Sequence, residues 1–372
     1  MVNAFGGPTA KKGIKMAKIS FKAWQQVVEF HNPLKNGELD RQKLEVRLDP
    51  LTEHQSILSE ALKGKVSILF PETDYAYLHQ RIEATKEQCF MCDGKWRKAS
   101  PRYPEHLIPG GQIERGEIAL FPNLFPLAPY HAVVRVGEKH GRTLDDISSS
   151  LLFDAFSVSL EFIRRCFESD PEARFFTINA NFMPPAGGSL VHPHLQIIGS
   201  SYPMTHHRLL LERSLAYHRD TGSCYWLDLV ETERESVQRW LGEIGPGRWF
   251  TAFSPIGVNE VNAVWPHASH FLEWDDRDIE AMAEGVHRTI LAYHDLKFST
   301  FNFSCFSGPL GEAAPEFRCF LRLINRQNMY PNHRTDDYYL QKLLKNEIII
   351  YPPEELASLI KDRAAWPPPP LL

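Results

Sequence analysis

The residues of this chain with chemistry to offer are concentrated in Asn179–Ser200, NANFMPPAGGSLVHPHLQIIGS. His192, His194 and Gln196 stand two apart, so on an extended backbone all three project to one face. Their neighbours Val191, Leu195, Ile197 and Ile198 are apolar. Polar groups buried among such residues cost free energy unless they find partners or a ligand. A neutral imidazole can attack phosphorus if its other ring nitrogen donates to a carbonyl. Gly187, Gly188 and Ser189 directly precede the histidines. Glycines let backbone N–H groups approach phosphate oxygens, and the Ser189 hydroxyl can donate to a leaving phosphate. Gln196, an uncharged donor, can hold a non-bridging oxygen as charge builds on it. Together these residues predict nucleophilic chemistry at a phosphate.

A second feature is the C-x-x-C of Cys89 and Cys92. In a large chain with no secretory signal, this spacing favours a metal site or redox chemistry over a disulfide framework. Cys166, Cys224, Cys305 and Cys319 are scattered and read as small buried hydrophobes. The net charge of −5 gives no basic field for a nucleic-acid backbone, so an anionic ligand must be met by a local site. No apolar run approaches the roughly 20 residues that span a bilayer. The N-terminal segment lacks the apolar stretch of a signal peptide. A cytoplasmic protein is expected, with a ragged N-terminal tail and a loose Pro-rich end from Trp366 to Leu372.

The elements that must position these residues follow from pattern. Residues 20–65 read as a helical lead-in with a turn at Asp49-Pro50. Gly116–Val136 is two β-rich runs split by prolines and Asn123. Thr143 as N-cap, with Asp145 and Asp146 in the first turn, predicts an amphipathic helix. ARFFTINANF and VHPHLQIIGS read as two more strands. The same order recurs later, with His270 where His140 falls and Asp275-Asp276 where Asp145-Asp146 fall. We therefore expect an internal duplication, about 116–200 and 248–328. Within FRCFLRL, Arg318-Cys319-Phe320 then lies over His192-Pro193-His194 of HPHLQII, setting Arg318 against His192 and Phe320 against His194. One half keeps its histidines and the other has lost them. The expected fold class is α+β, an antiparallel sheet with flanking helices, duplicated as two half-repeats in one large sheet domain. The expected division is a lead-in (1–45), a first half (46–210), a helical connector (211–247) and a second half (248–360).

The order Asn181, Ser189, His192, His194, Gln196 resembles the signature of the galactose-1-phosphate uridylyltransferase-like family of the histidine-triad superfamily. RLDPLT at 47–52, the Cys89–Cys92 pair, FPNLFP at 121–126 and KHGRTL at 139–144 fall in the family's order, and the resemblance covers roughly 45–360. It implies a histidine-triad-like sheet and nucleotidyl transfer between a nucleotide sugar and a sugar 1-phosphate. His194 would become nucleotidylated, with Gln196 and Ser189 on the same phosphate. Phe121, Asn123, Asn181, Gly187 and Gly188 would hold the nucleotide and its phosphates. Cys89, Cys92, His140 and His192 would bind a structural zinc, a closed tetrahedral set. His131, nine residues before His140, is given a core role. The family's second metal site has no expected equivalent here, and a homodimer is expected. The family's arginines after the PLT segment and its C-terminal hexose signature are absent. Nucleotidyl transfer therefore carries over better than galactose, and the base is not specified. A nucleotide-sugar or dinucleoside-polyphosphate phosphorylase or hydrolase, and a non-catalytic nucleotide-binding scaffold, stay open.

Overall fold

The computed structural model describes residues 19–63 and 65–366. The expected ragged tail and residues 367–372 lie outside the described residues. Trp366 lies within them and is not loose, for it is 7% exposed and packs on Trp249 with ring centroids 5.6 Å apart.

Fourteen strands among the described residues make two sheets. The chain opens with β1 (Lys22–Asn32), β2 (Glu38–Leu48) and β3 (Gln55–Ser59). The first half-repeat supplies β4 (Ile113–Arg115), β5 (Ile118–Pro122), β6 (Tyr130–Arg135), β7 (Phe175–Phe182) and β8 (His194–Ser200). The second supplies β9 (Trp240–Ile244), β10 (Gly247–Thr251), β11 (Val261–Val264), β12 (Phe301–Phe306) and β13 (Phe320–Asn325). Last comes β14 (Asn346–Ile349). Six longer helices are α1 (Tyr75–Lys86), α2 (Ser149–Ser169), α3 (Thr205–Thr221), α4 (Tyr225–Ser236), α5 (Asp276–Asp295) and α6 (Pro353–Ala364).

The large sheet is antiparallel throughout, in the order β4-β5-β6-β8-β7-β12-β13-β11-β10-β9. Read from its two ends the order is the same, since β4, β5, β6, β8 and β7 mirror β9, β10, β11, β13 and β12. This is the duplication read from the sequence. The halves join where β7 pairs β12, with Asn179 opposite Ser304 and Asn181 opposite Asn302. Helices α2 and α5 pack together, tied by His287 Nδ1, which donates to Ile147 O at 2.8 Å. One buried cluster runs from Phe156 and Phe162 on α2 to Val286 and Ile290 on α5 and the sheet residues Ile178, Ile197 and Leu321. Each such side chain contributes about 1.5–3 kcal/mol when fully buried.

Two local expectations are corrected. The lead-in is not helical, because β1 and β2, eleven residues each, pair as an antiparallel hairpin. Asn36 (φ 53°) and Gly37 (φ 79°) occupy the left-handed region that reverses the chain. Asn32 Oδ1 accepts from Leu34 N at 2.9 Å and steadies the turn. Trp24, Val27, Val28 and Phe30 are aromatic or β-branched, which suits a strand better than a helix. Thr143 opens only a short 3-10 turn, Leu144–Asp146. The long helix begins at Ser149, because Ser148 provides the cap, accepting from Leu151 N.

Candidate active site and metal centre

The Cys89–Cys92 segment folds as a knuckle. Asp93 (φ 54°) and Gly94 (φ 68°) turn the chain sharply after the second thiol. Both thiols are buried, in a small core with Met91, Trp96, Phe121 and Val133. Across from them stand His140, in the loop before the 3-10 turn, and His192, just ahead of β8. One ligand atom from each of Cys89, Cys92, His140 and His192 falls within 4.8 Å of the others, and all four residues are buried.

The donor atoms fit a metal. His192 Nε2 donates to Gly137 O at 2.9 Å, which leaves Nδ1 without a proton, 3.5 Å from Cys92 Sγ and 3.8 Å from Cys89 Sγ. His140 presents Nδ1 at 3.2 Å from Cys92 Sγ, and its Nε2 meets Thr85 Oγ1 at 3.0 Å. Sulfur at about 2.3 Å and nitrogen at about 2.0 Å from a tetrahedral centre stand roughly 3.5 Å apart. The outer hydrogen bonds to Gly137 and Thr85 fix both rings as ligands need. Burial holds His192 neutral, lowering it to about 4. Burial pushes the Cys92 thiol up to about 12, a cost that a bound cation would reverse.

His194 begins β8 and is 8% exposed. Its Nδ1 lies 2.9 Å from His192 O. A carbonyl only accepts, so Nδ1 carries the proton and Nε2 keeps its lone pair. Burial lowers the pKa of this imidazole and keeps it neutral. Gln196 follows two residues on, on the same face of the strand. Its Oε1 accepts from His131 Nε2 at 2.8 Å, while His131 Nδ1 accepts from Leu127 N at 3.0 Å. That pairing turns the Gln196 amide so that its NH2 is available to a ligand. His131 is therefore buried as expected but does more than pack. It sets the orientation of Gln196, a role that no spacing rule would reveal.

Gln196 lines a cleft of about 480 Å³ with Asn179, Asn181, Asn302, Ser304, His206 and Arg322. Asn181 Oδ1 accepts from Asn302 Nδ2 at 2.7 Å, across the junction of the two halves. Asn302 in turn accepts from Arg326 Nη1 at 2.7 Å, and Arg326 is held by a bidentate pair with Asp336. Sequence reasoning missed Asn302, Ser304, Arg322 and Arg326. They belong to the half that lacks the His-Pro-His; strand pairing brings Asn302, Ser304 and Arg322 to the cleft, and Arg326 reaches it only through Asn302.

Three expected nucleotide contacts are corrected. Phe121 is 2% exposed and stacks on Trp96 beneath the knuckle, so it cannot reach a nucleoside. The N–H groups of Gly187 and Gly188 are already spent inside their turn, donating to Pro184 O at 2.9 Å and Met183 O at 3.1 Å. These glycines shape the loop instead of cradling phosphate. Gly187 has φ 85°, and a Cβ on Gly188 would lie 2.9 Å from Asn181 O. Ser189 stands exposed at the end of this turn. Asn123 Oδ1 accepts from Phe125 N at 2.9 Å, a local turn, and its amide lies 3.2 Å from His131 Nε2.

The comparisons with known proteins come to the same architecture. An ADP-glucose phosphorylase from Arabidopsis thaliana, solved with bound ADP-glucose, superposes with a TM-score of 0.65 at 20% identity, covering 86% of this chain and 98% of that one. A uridylyltransferase superposes with a TM-score of 0.61 at 20% identity, covering 72% and 88%. The chain shares the fold of these two enzymes. A galactose-1-phosphate uridylyltransferase-like protein from Arabidopsis thaliana gives a TM-score of 0.63 at 18% identity, covering 86% and 98%. An uncharacterised protein from Archaeoglobus fulgidus is 27% identical over 340 residues, 91% of this chain and 98% of its own length. No protein-family model matches the chain. In this version of the fold, the position opposite His194 in the second half is Phe320, stacked between Trp226 at 4.0 Å and Phe306 at 4.8 Å.

Proposed function

We propose that this chain is a nucleotidylyltransferase that moves a nucleoside monophosphate from a nucleotide sugar to a phosphate acceptor through a covalent nucleotidyl-His194. The observation that carries this reading is the hydrogen bond from His194 Nδ1 to His192 O, which leaves Nε2 its lone pair two residues before Gln196, and Gln196 lines the cleft. Nε2 attacks the α-phosphorus and the bond to the bridging oxygen breaks. Its electron pair leaves with the sugar 1-phosphate. The Gln196 amide donates to a non-bridging oxygen as charge grows there. In the second step an acceptor phosphate oxygen attacks the same phosphorus, and the P–N bond breaks to return neutral His194. The acceptor is a sugar 1-phosphate. A second reading, inorganic phosphate as acceptor, is supported by the likeness in fold to an ADP-glucose phosphorylase.

Cys89, Cys92, His140 and His192 are the residues that would hold zinc. As a structural ion it would pin the segment that presents His194 two residues later. We also take the protein to be a homodimer, because the β1–β2 hairpin leaves Trp24, Val27, Val28, Phe30 and Leu39 exposed.

The test uses ADP- and UDP-sugars labelled in the α-phosphate. The expected result is an acid-labile, base-stable label on wild type and none on His194→Ala, with turnover down on the order of 10³-fold or more. Gln196→Ala should label, at a rate lowered by about 10²–10³-fold. Label on His194→Ala, or turnover without label on wild type, rejects the covalent mechanism. Release of label by sugar 1-phosphate or by inorganic phosphate separates the two acceptors.

A further inference from the structure

Strands β8 and β13 are counterparts in the mirrored sheet, and the overlay of RCFLRLI, residues 318–324, on HPHLQII sets Arg322 where Gln196 stands. Register joins the two. Gln196 pairs Asn179, Asn179 pairs Ser304, Ser304 pairs Arg322, and Arg322 pairs Asn262. A polar row therefore crosses the sheet, and its first four members line the cleft. From Gln196 to Arg322 is three strand spacings of about 4.8 Å, roughly 14 Å between backbones. That span accommodates a pyrophosphate and one pyranose ring.

Arg322 is 9% exposed. Its Nη1 donates to His206 Nε2 at 3.3 Å. Its Nε lies 3.4 Å from Glu260 Oε1, too poorly aligned to hydrogen-bond, and is otherwise unpartnered. Asn262 Oδ1 beside it is also buried without a partner. Asn262 lies off the cleft, but an idle buried N–H on Arg322, which lines it, is costly, and a ligand that takes it up recovers that cost.

Charge decides which ligand. The ionisable groups around Arg322 are Glu260, Asp49, His54, His206 and Tyr225, whose phenol burial holds neutral. Burial lowers His206 to about 4 and lowers His54 as well, so both are neutral near pH 7. Two carboxyl groups against one guanidinium leave no surplus positive charge for an anion. A neutral polyol, offering donors and acceptors together, fits without an unpaired charge. Phe306, Ile256 and Ile324 line the same cleft, an apolar surface for the C–H face of a sugar ring.

We propose that Arg322 is the specificity-determining residue for an uncharged sugar, held at the second-half end of the cleft with Ser304 and His206 beside it. This rests on the nucleotide-sugar reading above and assigns the sugar's place within it. It also places sugar recognition on a residue that the half-repeat gained where the other half carries Gln196.

The test measures binding by calorimetry to the full chain carrying His194→Ala, so that no turnover intervenes. Arg322→Met is expected to weaken ADP-glucose or UDP-glucose binding about tenfold while changing ADP or UDP binding less than twofold. Arg322→Lys, which keeps the charge but loses the planar fork, should fall between. Without a substitution at 322, UDP-glucuronate should bind at least tenfold more weakly than UDP-glucose. Equal losses on nucleotide sugar and nucleoside diphosphate, no loss on either, tighter binding of the glucuronate, or no binding of any of these nucleotides overturns the assignment. Melting temperature and metal content report folding, and Arg322→Lys carries the comparison if Arg322→Met does not fold. An absent covalent label on wild type, with the differential binding intact, removes the catalytic reading and leaves the sugar site standing.

Discussion

Two carbonyl oxygens set the two histidines of the His-Pro-His to opposite tautomers. Gly137 O accepts a hydrogen bond from His192 Nε2, and His192 O accepts one from His194 Nδ1, so each proton stays on that nitrogen. One ring therefore offers Nδ1 to the thiols and the other keeps its lone pair on Nε2. The resemblance led us to expect different roles for the two residues, but the protons were not legible in the sequence, because both acceptors are backbone oxygens that any residue type supplies. The metal set gives a prediction at this scale. Wild type should hold about one zinc per chain by elemental analysis, and Cys92→Ser should lose it, since three ligands do not close a tetrahedral site. A lower melting temperature should accompany the loss. Full zinc content in Cys92→Ser would place the ion elsewhere.

Among the elements, the loop between β7 and β8 shows why a motif can be right in place and wrong in role. Gly-Gly-Ser suggested donors aimed at phosphate, yet the turn consumes the Gly187 and Gly188 N–H groups for its own closure. What the glycines supply is room and backbone freedom. Gly188→Ala puts a Cβ 2.9 Å from Asn181 O and 3.0 Å from Met183 O, both backbone atoms that cannot move aside. We expect it to cost roughly 1–3 kcal/mol and most of the activity. At Gly187 a Cβ meets nothing within 4 Å but φ is 85°, so Gly187→Ala should cost only about 1 kcal/mol. Equal melting temperatures for the two variants would contradict this account. The β1–β2 hairpin teaches the converse. Asn36-Gly37 is a hairpin signal, overlooked beside an apparently helical run.

At the scale of the whole molecule, distant segments meet at the edge of the smaller sheet, where β14 pairs β3 in parallel. Glu347 on β14 is 5% exposed, and burial raises its carboxyl from 4.5 to about 7. Between those values the folded chain holds a proton that the unfolded chain has released. The stability from this group is full below pH 4.5 and is lost as pH rises through 7. Glu347→Gln should therefore match wild type near pH 4.5 and exceed it by roughly 2–3 kcal/mol at pH 8. Chemical denaturation at the two pH values measures it, and an equal difference at both would refute it. The hairpin makes a second prediction at this scale. Light scattering should find a dimer, and Trp24→Ser with Val28→Ser should shift it to monomer while leaving the metal in place. A wild-type monomer would remove the homodimer from the reading.

The fold class, the duplication and the β8 strand were legible in local pattern, turn chemistry and spacing, which are written in consecutive residues. The four residues of the buried Cys–His cluster were named only by the family resemblance. Only the tertiary structure decided that Phe121 is buried under Trp96, that His131 orients Gln196, and that Asn302, Ser304 and Arg322 face the same cleft as Gln196. The physical reason is that strand register, not residue type, selects neighbours. The β7–β12 and β12–β13 pairings bring residues more than a hundred positions apart into one row, and no local signal encodes that meeting.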